Sequence, residues 1–145
     1  MAEIKYPLPS FHFQVEIGGE AIPFTEVSGL DIEVQVIEYR DGSSPQYSTL
    51  KMTGIPKYSN IILKRGIIPH DTFFFTWINK TSLNKPDRRD LTISLLNEEH
   101  SPVMVWKVKR AFPVKLQGPV LKATGNEVAI ETLELAHEGL VIEAS

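Results

Sequence analysis

Ten prolines and nine glycines interrupt this chain of 145 residues at short, regular intervals. Proline fixes φ and removes a backbone donor, and glycine favours turns, so neither suits the interior of a long helix. Most segments between them alternate apolar and polar residues, which is typical of strands with one buried face. The sequence therefore predicts one mainly β domain spanning residues 1–145, without an internal repeat or a linker.

The first predicted strand covers residues 11–17 and ends at Gly18-Gly19, a pair suited to a tight hairpin turn. Residues 21–27 are predicted to pair back onto this strand. A second alternating segment covers residues 31–37, and its apolar set is Ile32, Val34 and Val36. Both segments have one apolar and one polar side.

A second hairpin is predicted to pair residues 91–96 with residues 103–108. Its apolar set on the first strand is Leu91, Ile93 and Leu95. The tripeptide 111–113 contains a proline and is predicted to end the second strand, because proline cannot donate to a ladder.

Two segments carry helical features. Asp71 is a suitable N-cap for a short helix in which Phe74, Trp77 and Ile78 share one face. Residues 126–139 are ambiguous, since Asn126 and Gly139 suit the two ends of a helix while alternation over part of the segment suits a strand. Periodicity alone favours the helix there.

Composition excludes several functions. A formal net charge of −3 provides no excess of lysine and arginine for displacing counterions from nucleic acid. The absence of cysteine excludes disulfides, thiolate zinc sites and cysteine nucleophiles. No apolar run approaches the roughly 20 residues of a membrane span, and the first residues lack the apolar core of a signal peptide. We therefore expect synthesis in the cytoplasm and no direct membrane insertion.

The strongest candidate for chemistry is a Glu-x-x-His spacing formed by Glu134 and His137. On a helix, Glu127, Glu131 and Glu138 would share a face with this pair. Di-iron bundles use two such spacings on separate helices, and no second copy exists in this sequence. Common phosphate-binding and hydrolase motifs are also missing, so the sequence predicts no cofactor and no catalytic or metal site. The basic pairs Lys64-Arg65 and Arg88-Arg89 are interpreted as ordinary surface charge.

Several stretches resemble the tail tube proteins of contractile phage tails and of extracellular contractile injection systems. They lie at 13–17, 24–30, 39–42, 60–66, 106–107, 111–113 and 125–140, with Trp77 between them. The most specific are Leu-Lys-Arg-Gly at 63–66 and the Asn-Glu-Val-Ala-Ile-Glu … His-Glu-Gly-Leu ending. Phe112 departs from the family, which more often has tryptophan before the proline.

The resemblance implies an antiparallel β-barrel or sandwich with one flanking short helix and an extended β-hairpin arm. It also implies that the segment after Asn126 is a strand and that His137 is structural. Hexameric rings of such subunits stack into a hollow tube. The arm that would contact the neighbouring ring is polar and has nothing to bury; it comprises Tyr39, Arg40, Asp41, Gly42, Ser43, Ser44, Pro45, Gln46 and Tyr47.

The resemblance further implies that the strands near 31–37, 91–96 and 103–109 line the channel. Their apolar sets would then face the subunit core, and the alternate residues would face the lumen. The predicted lumen-facing residues are Asp31, Glu33, Gln35, Thr92, Ser94, Lys107 and Lys109. The two lysines share a face with Val103 and Val105.

The partners implied by the resemblance are other copies of the chain, a surrounding sheath, baseplate or spike and terminal cap proteins, and an effector or DNA in the lumen. Assembly is expected in the bacterial cytoplasm, within a phage tail or a released injection particle. The alternatives are a type VI secretion tube ring, a metal-dependent enzyme that uses Glu134 and His137, and a monomeric ligand-binding barrel.

Overall fold

The computed structural model describes residues 12–39, 50–81, 85–125 and 128–144. In that part of the chain, ten strands and one helix follow one another, and no helix has the length and apolar character that a membrane crossing requires. The elements are β1 (Phe13–Ile17), β2 (Glu20–Ile22), β3 (Glu26–Ser28), β4 (Ile32–Tyr39), β5 (Leu50–Tyr58), β6 (Ile61–Gly66), α1 (Phe73–Lys80), β7 (Arg89–Leu96), β8 (Pro102–Gln117), β9 (Ile130–Ala136) and β10 (Gly139–Glu143).

The long strand β8 joins two antiparallel sheets. Its first half pairs with β7 and β10, and β7 continues through β1 to β2. Its second half pairs with β9, which continues through β6 to β3. The backbone changes direction at Arg110, whose φ is 51° and whose N–H donates to Asp90 Oδ1 at 2.9 Å. The predicted mainly β antiparallel fold with one short helix is confirmed.

The core lies between the two sheets and is closed by α1. Alternation along each strand directs every second residue inward, which explains why the sequence pattern predicts these strands. Phe74 and Trp77 lie on the inward side of the helix, and the indole N–H of Trp77 donates to the carbonyl oxygen of Asp87 at 2.8 Å. The strands contribute Val15, Ile17, Ile22, Ile61, Leu63, Leu91, Ile93, Val108, Ala111, Leu133, Leu135 and Leu140.

Strands β4 and β5 form a separate two-stranded hairpin. Every residue of β4 is exposed, including the apolar set Ile32, Val34 and Val36. The expectation that this set faces the subunit core is therefore wrong, because the hairpin extends away from both sheets and is not covered by them. Leu91 and Ile93, in contrast, are buried as predicted, and Leu95 is half-buried.

Three other local predictions are corrected. Only Glu20–Ile22 pairs with the first strand; residues 26–28 pair with β6 instead. Pro113 does not end β8, because it lies beside a bulge in the pairing with β9, where the missing donor is tolerated. The N-cap of α1 is Thr72 rather than Asp71, although the Asp71 carboxylate accepts the N–H of Phe73 at 2.9 Å.

The segment after Asn126 forms strands rather than the helix that periodicity favoured, in agreement with the resemblance. Pairing with β6 and β8 on its two sides buries Leu133 and Leu135 and determines the conformation of β9. Asn126 and Glu127 themselves lie outside the described residues.

Candidate assembly surfaces

The outward side of the β1–β7–β8–β10 sheet carries a mostly polar face, interrupted by Val105 and Val141, which we call the polar face. Opposite residues across the strands are Glu16, Thr92, Lys107 and Val141 in one row, and Gln14, Ser94, Val105 and Glu143 in the next. Lys107 Nζ lies 3.2 Å from Glu143 Oε2. Lys109 lies two residues after Lys107 on the same side of β8. The polar face therefore holds two acidic side chains, Glu16 and Glu143, and two basic ones, Lys107 and Lys109.

Four of the seven predicted lumen residues therefore lie together on the polar face: Thr92, Ser94, Lys107 and Lys109. Asp31, Glu33 and Gln35 are exposed but belong to the root of the separate hairpin, so the structure does not place them on the same sheet. Which surface of the tube either group lines stays a prediction. Of the predicted arm, Tyr39 ends β4 with half of its surface exposed, and residues 40–47 lie outside the described residues.

A buried charge cluster links β6, β9 and the start of α1. Arg65 is only 2% exposed, and its Nε donates to Glu131 Oε1 at 2.6 Å. Its two terminal nitrogens donate to the Asp71 carboxylate at 3.3 and 3.4 Å, and its guanidinium carbon lies 4.2 Å from the ring centroid of Phe74. The interpretation of Arg65 as ordinary surface charge is wrong.

Asp71 connects the helix start to this cluster. Its pKa is lowered first by the hydrogen bond from the Phe73 backbone N–H and then by Arg65, while partial burial acts in the opposite direction. A carboxyl group whose pKa is lower in the folded protein stabilises the fold above its unfolded pKa, and that stabilisation is lost as the pH falls through the folded pKa.

Replacing Asp71 with asparagine should destabilise the protein at pH 7, because the amide can accept the Phe73 N–H but carries no charge for Arg65. The difference from wild type should begin to shrink below about pH 4, where the carboxyl group of the unfolded chain takes up a proton, and should be lost only as the pH falls through the lower folded pKa. Urea unfolding of both proteins at pH 7 and pH 3 measures this. An unchanged difference at the two pH values would contradict it.

The glutamates around His137 do not form a cluster. Glu131 binds Arg65, Glu134 contacts Asn60 Nδ2 at 3.5 Å, and Glu138 pairs with Arg88 and Arg110. His137 Nε2 lies 2.8 Å from the carbonyl oxygen of Ser59, and its Nδ1 lies 3.2 Å from that of Gly139. A helix would have aligned these glutamates on one face, whereas the strand separates them. Their contacts connect loops to strands instead of forming one site. Within the described ranges, no three histidine, aspartate or glutamate side chains group closely enough to hold a metal ion.

The second basic pair also has defined contacts. Arg88 lies over the ring of Phe112 at 4.7 Å, and Arg89 lies over Trp77 at 5.0 Å while pairing with Asp87 at 2.9 Å. Both side chains are partly buried. They hold the segment before β7 against α1 and β8, a role that sequence alone did not indicate.

An open groove of about 630 Å³ lies between the β3–β6–β9 edge and the loop after β8. Lys64, Thr132 and Gln117 line it together with Val120, Val128 and Lys122. Its described titratable side chains are Glu26, Lys64 and Lys122, and the first two form a salt bridge with each other.

Comparison with known proteins identifies relatives of this arrangement. Residues 9–141 match the family described as T4-like virus tail tube protein gp19. The PVC sheath–tube complex of an extracellular contractile injection system, in the extended state, contains a chain with 40% identity and a TM-score of 0.90; the match covers 98% of this chain and 95% of that one. The tube terminating cap of the anti-feeding prophage contains one with 37% identity and a TM-score of 0.92, covering 100% and 96%.

More distant likenesses show the fold alone. Hcp1 from Flavobacterium johnsoniae has 13% identity and a TM-score of 0.57, covering 93% of this chain and 97% of that one. No curated protein sequence matches the chain.

Proposed function

This chain belongs to the T4-like virus tail tube protein family, and we propose that it is the inner-tube subunit of an extracellular contractile injection particle. The observation that carries the proposal is identity of 37–40% along essentially the full length of chains from the PVC and anti-feeding prophage particles. A phage tail tube is the alternative within the same family. A type VI tube ring is less favoured, because the Hcp likeness extends to the fold alone.

The subunits would form hexameric rings that stack into a hollow tube, as a single domain spanning residues 1–145. A sheath would surround the tube, as in the PVC complex, and a terminal cap and a baseplate or spike would close its ends. Synthesis and ring assembly would take place in the bacterial cytoplasm, before the particle is released.

The proposed role is mechanical and not enzymatic. Glu134 and His137 support this, since both are already engaged in contacts with neighbouring loops and strands. Both ring nitrogens of His137 lie against backbone carbonyl oxygens, Nε2 against that of Ser59 and Nδ1 against that of Gly139. No cofactor forms part of the proposal.

Purified wild-type protein should form rings or tubes with a central bore, because exposed strand edges and apolar hairpin faces favour self-association over a monomer. Deletion of residues 40–47, the proposed arm between rings, should leave folded subunits or single rings that do not stack. Negative-stain microscopy with size-exclusion chromatography measures both. A wild type that stays a compact ~16 kDa monomer at high concentration would contradict the function, and long tubes from the deletion variant would contradict only the arm.

We further propose that the polar face lines the bore, with Asp31, Glu33 and Gln35 at the hairpin root beside it. The formal charges of its two acidic and two basic side chains cancel, and Asp31 and Glu33 add two negative charges per subunit; a hydrated wall of this kind would let effector proteins or DNA slide without tight binding.

Single cysteines at Thr92 and Glu33 should test this location, since the chain has no cysteine of its own. In assembled tubes both should react with a small maleimide and be protected from a maleimide too bulky to enter the bore. The same variants as dissociated subunits provide the control, because both reagents should label them. Equal labelling of the assembled tubes by both reagents would place these positions outside the bore.

A further inference from the structure

The hairpin of β4 and β5 changes its apolar side halfway along its length. Near the root, Ile32 lies opposite Tyr58 and Val34 opposite Pro56 on one face, which we call the root face; Val36 extends it. Near the tip, Ile37 lies opposite Met52 and Tyr39 opposite Leu50 on the other face, which we call the tip face. Successive residues of a strand point to opposite sides, so these two faces cannot be the same surface.

The polar residues of the hairpin show the reverse arrangement. Glu33 and Lys57 lie opposite each other near the root, on the side of the hairpin away from the root face. Glu38 and Lys51 lie opposite each other near the tip, on the side away from the tip face. Each acidic residue faces a basic one, so neither half carries a net charge from these pairs. Over its described residues, the hairpin offers no cationic surface for nucleic acid and suits an apolar protein surface on each side.

A bulge marks the point where the apolar side changes. The pairing shifts between Val34 and Val36, where β5 contributes one extra residue. A Cβ on Gly54 would lie 3.0 Å from the Gln35 carbonyl oxygen and 3.4 Å from Ile37 Cδ1. Such close contact between the two strands favours glycine at position 54. Because the extra residue of the bulge lies in β5, β4 keeps its alternation through it.

Apart from Tyr58, which packs against the core, neither face is covered by the described part of the subunit. Val36 is 61% exposed and Leu50 is 66% exposed, and the other apolar members of both faces are about half exposed or more, except Tyr58. A two-stranded ribbon is only marginally stable by itself in water. A single flat partner can cover one side of a ribbon and leaves the other apolar side in water.

We propose that the root face and the tip face bind two different copies of this chain, on opposite sides of the hairpin. This rests on the proposed function, because a tube of identical subunits surrounds each hairpin with copies on more than one side. The same chain also exposes apolar side chains that can receive the two faces: Ile67, Phe75, Val120, Leu121 and Val128. One hairpin would then join three subunits, which a one-sided contact cannot do.

The test places a charge on one face at a time. Val36→Glu disrupts the root face and Ile37→Glu the tip face, and Val36→Gln and Ile37→Gln are controls that match the size of glutamate without its charge. Burying an unpaired carboxylate is costly, so each glutamate variant should lower the amount of tube in a sedimentation assay more than about tenfold. Thermal unfolding of the subunit should stay unchanged, because neither residue contacts the core.

Photo-cross-linking identifies the surfaces that the two faces contact. Benzoylphenylalanine at position 36 or 37 is used in tubes assembled from equal amounts of unlabelled and ¹⁵N-labelled chains. Both positions should give links between labelled and unlabelled chains, to peptides that do not overlap. Links to one common peptide, or links only within one chain, would overturn the proposal.

The outcomes separate the two hypotheses. If only one glutamate variant blocks assembly, the hairpin docks on one side; the inference is then wrong and the tube function stands. If both variants assemble normally, the hairpin is not an assembly surface, and the proposed arm is wrong as well. If wild-type protein forms no rings or tubes, the proposed function itself is wrong.

Discussion

Replacing Gly29 with alanine should lower the free energy of unfolding by about 3 kcal/mol or more. Gly29 follows β3 with a φ of 89°, and an added Cβ would lie 2.0 Å from the carbonyl oxygen of Asn60 and 3.2 Å from Ile61 Cα. Both obstacles are backbone atoms at the start of a buried strand, so no side-chain rotation can relieve the clash. A domain stable by about 5–15 kcal/mol loses a large part of its stability through such a change.

Gly19 provides the matched control for this substitution. Its φ is 88°, almost the same as that of Gly29, but nothing lies within 4 Å of the position of its missing Cβ. Gly19→Ala should therefore cost only the backbone strain, about 1–2 kcal/mol. Chemical unfolding of the two variants separates steric clash from strain. Equal losses of stability would show that the close approach at Asn60 relaxes freely.

Breaking the Arg65–Glu131 pair should be the second large effect. Glu131→Leu leaves a guanidinium that is 2% exposed with Asp71 as its remaining anionic partner, and Arg65→Met leaves Glu131 without its cation. Removing one member of a buried ion pair typically costs about 3–5 kcal/mol. The double variant should be more stable than either single one, because it leaves neither of the two charges unpaired.

A salt bridge on the exposed side of the same strand is the control for this cycle. Lys64 Nζ lies 3.2 Å from Glu26 Oε2, and both side chains are about half exposed. Glu26→Gln should cost at most about 1 kcal/mol. Urea unfolding of all four variants gives the comparison. Additive losses in the Arg65 cycle would mean that the two side chains do not stabilise each other.

Local alternation was sufficient to predict most strands but not their partners. Residues 13–17 and 91–96 alternate because one sheet face is buried, and that pattern is visible in the sequence. It does not indicate that residues 26–28 leave their predicted partner and pair with β6, because strand pairing over long distances depends on the whole fold. The resemblance, and not the periodicity, identified residues 130–136 as a strand.

Arg65 and Val36 show why burial was harder to predict than secondary structure. Arg65 alternates in phase with Ile61 and Leu63 and so lies on the inner face of β6. Its charge suggested the surface, and its pairing with Glu131 across the strands and with Asp71 before the helix makes burial tolerable. Val36 belongs to an equally regular pattern but is exposed in the subunit, because the β4–β5 hairpin is separate from the two larger sheets. Alternation identifies a side that must be covered and does not identify what covers it.

The strand order of the larger sheets affects how the subunit can fold. Residues 13–17 pair with residues 91–95, and residues 61–66 pair with residues 130–135. Such pairings between distant parts of a chain slow folding, since long loops must close before the contacts form. During synthesis, β1 has only the short strand β2 as a partner, and its other edge stays open until β7 follows about 80 residues later, at roughly 5–20 residues per second. For several seconds the growing chain therefore carries strands with open edges, and a chaperone that shields those edges should raise the yield of rings without changing the finished tube.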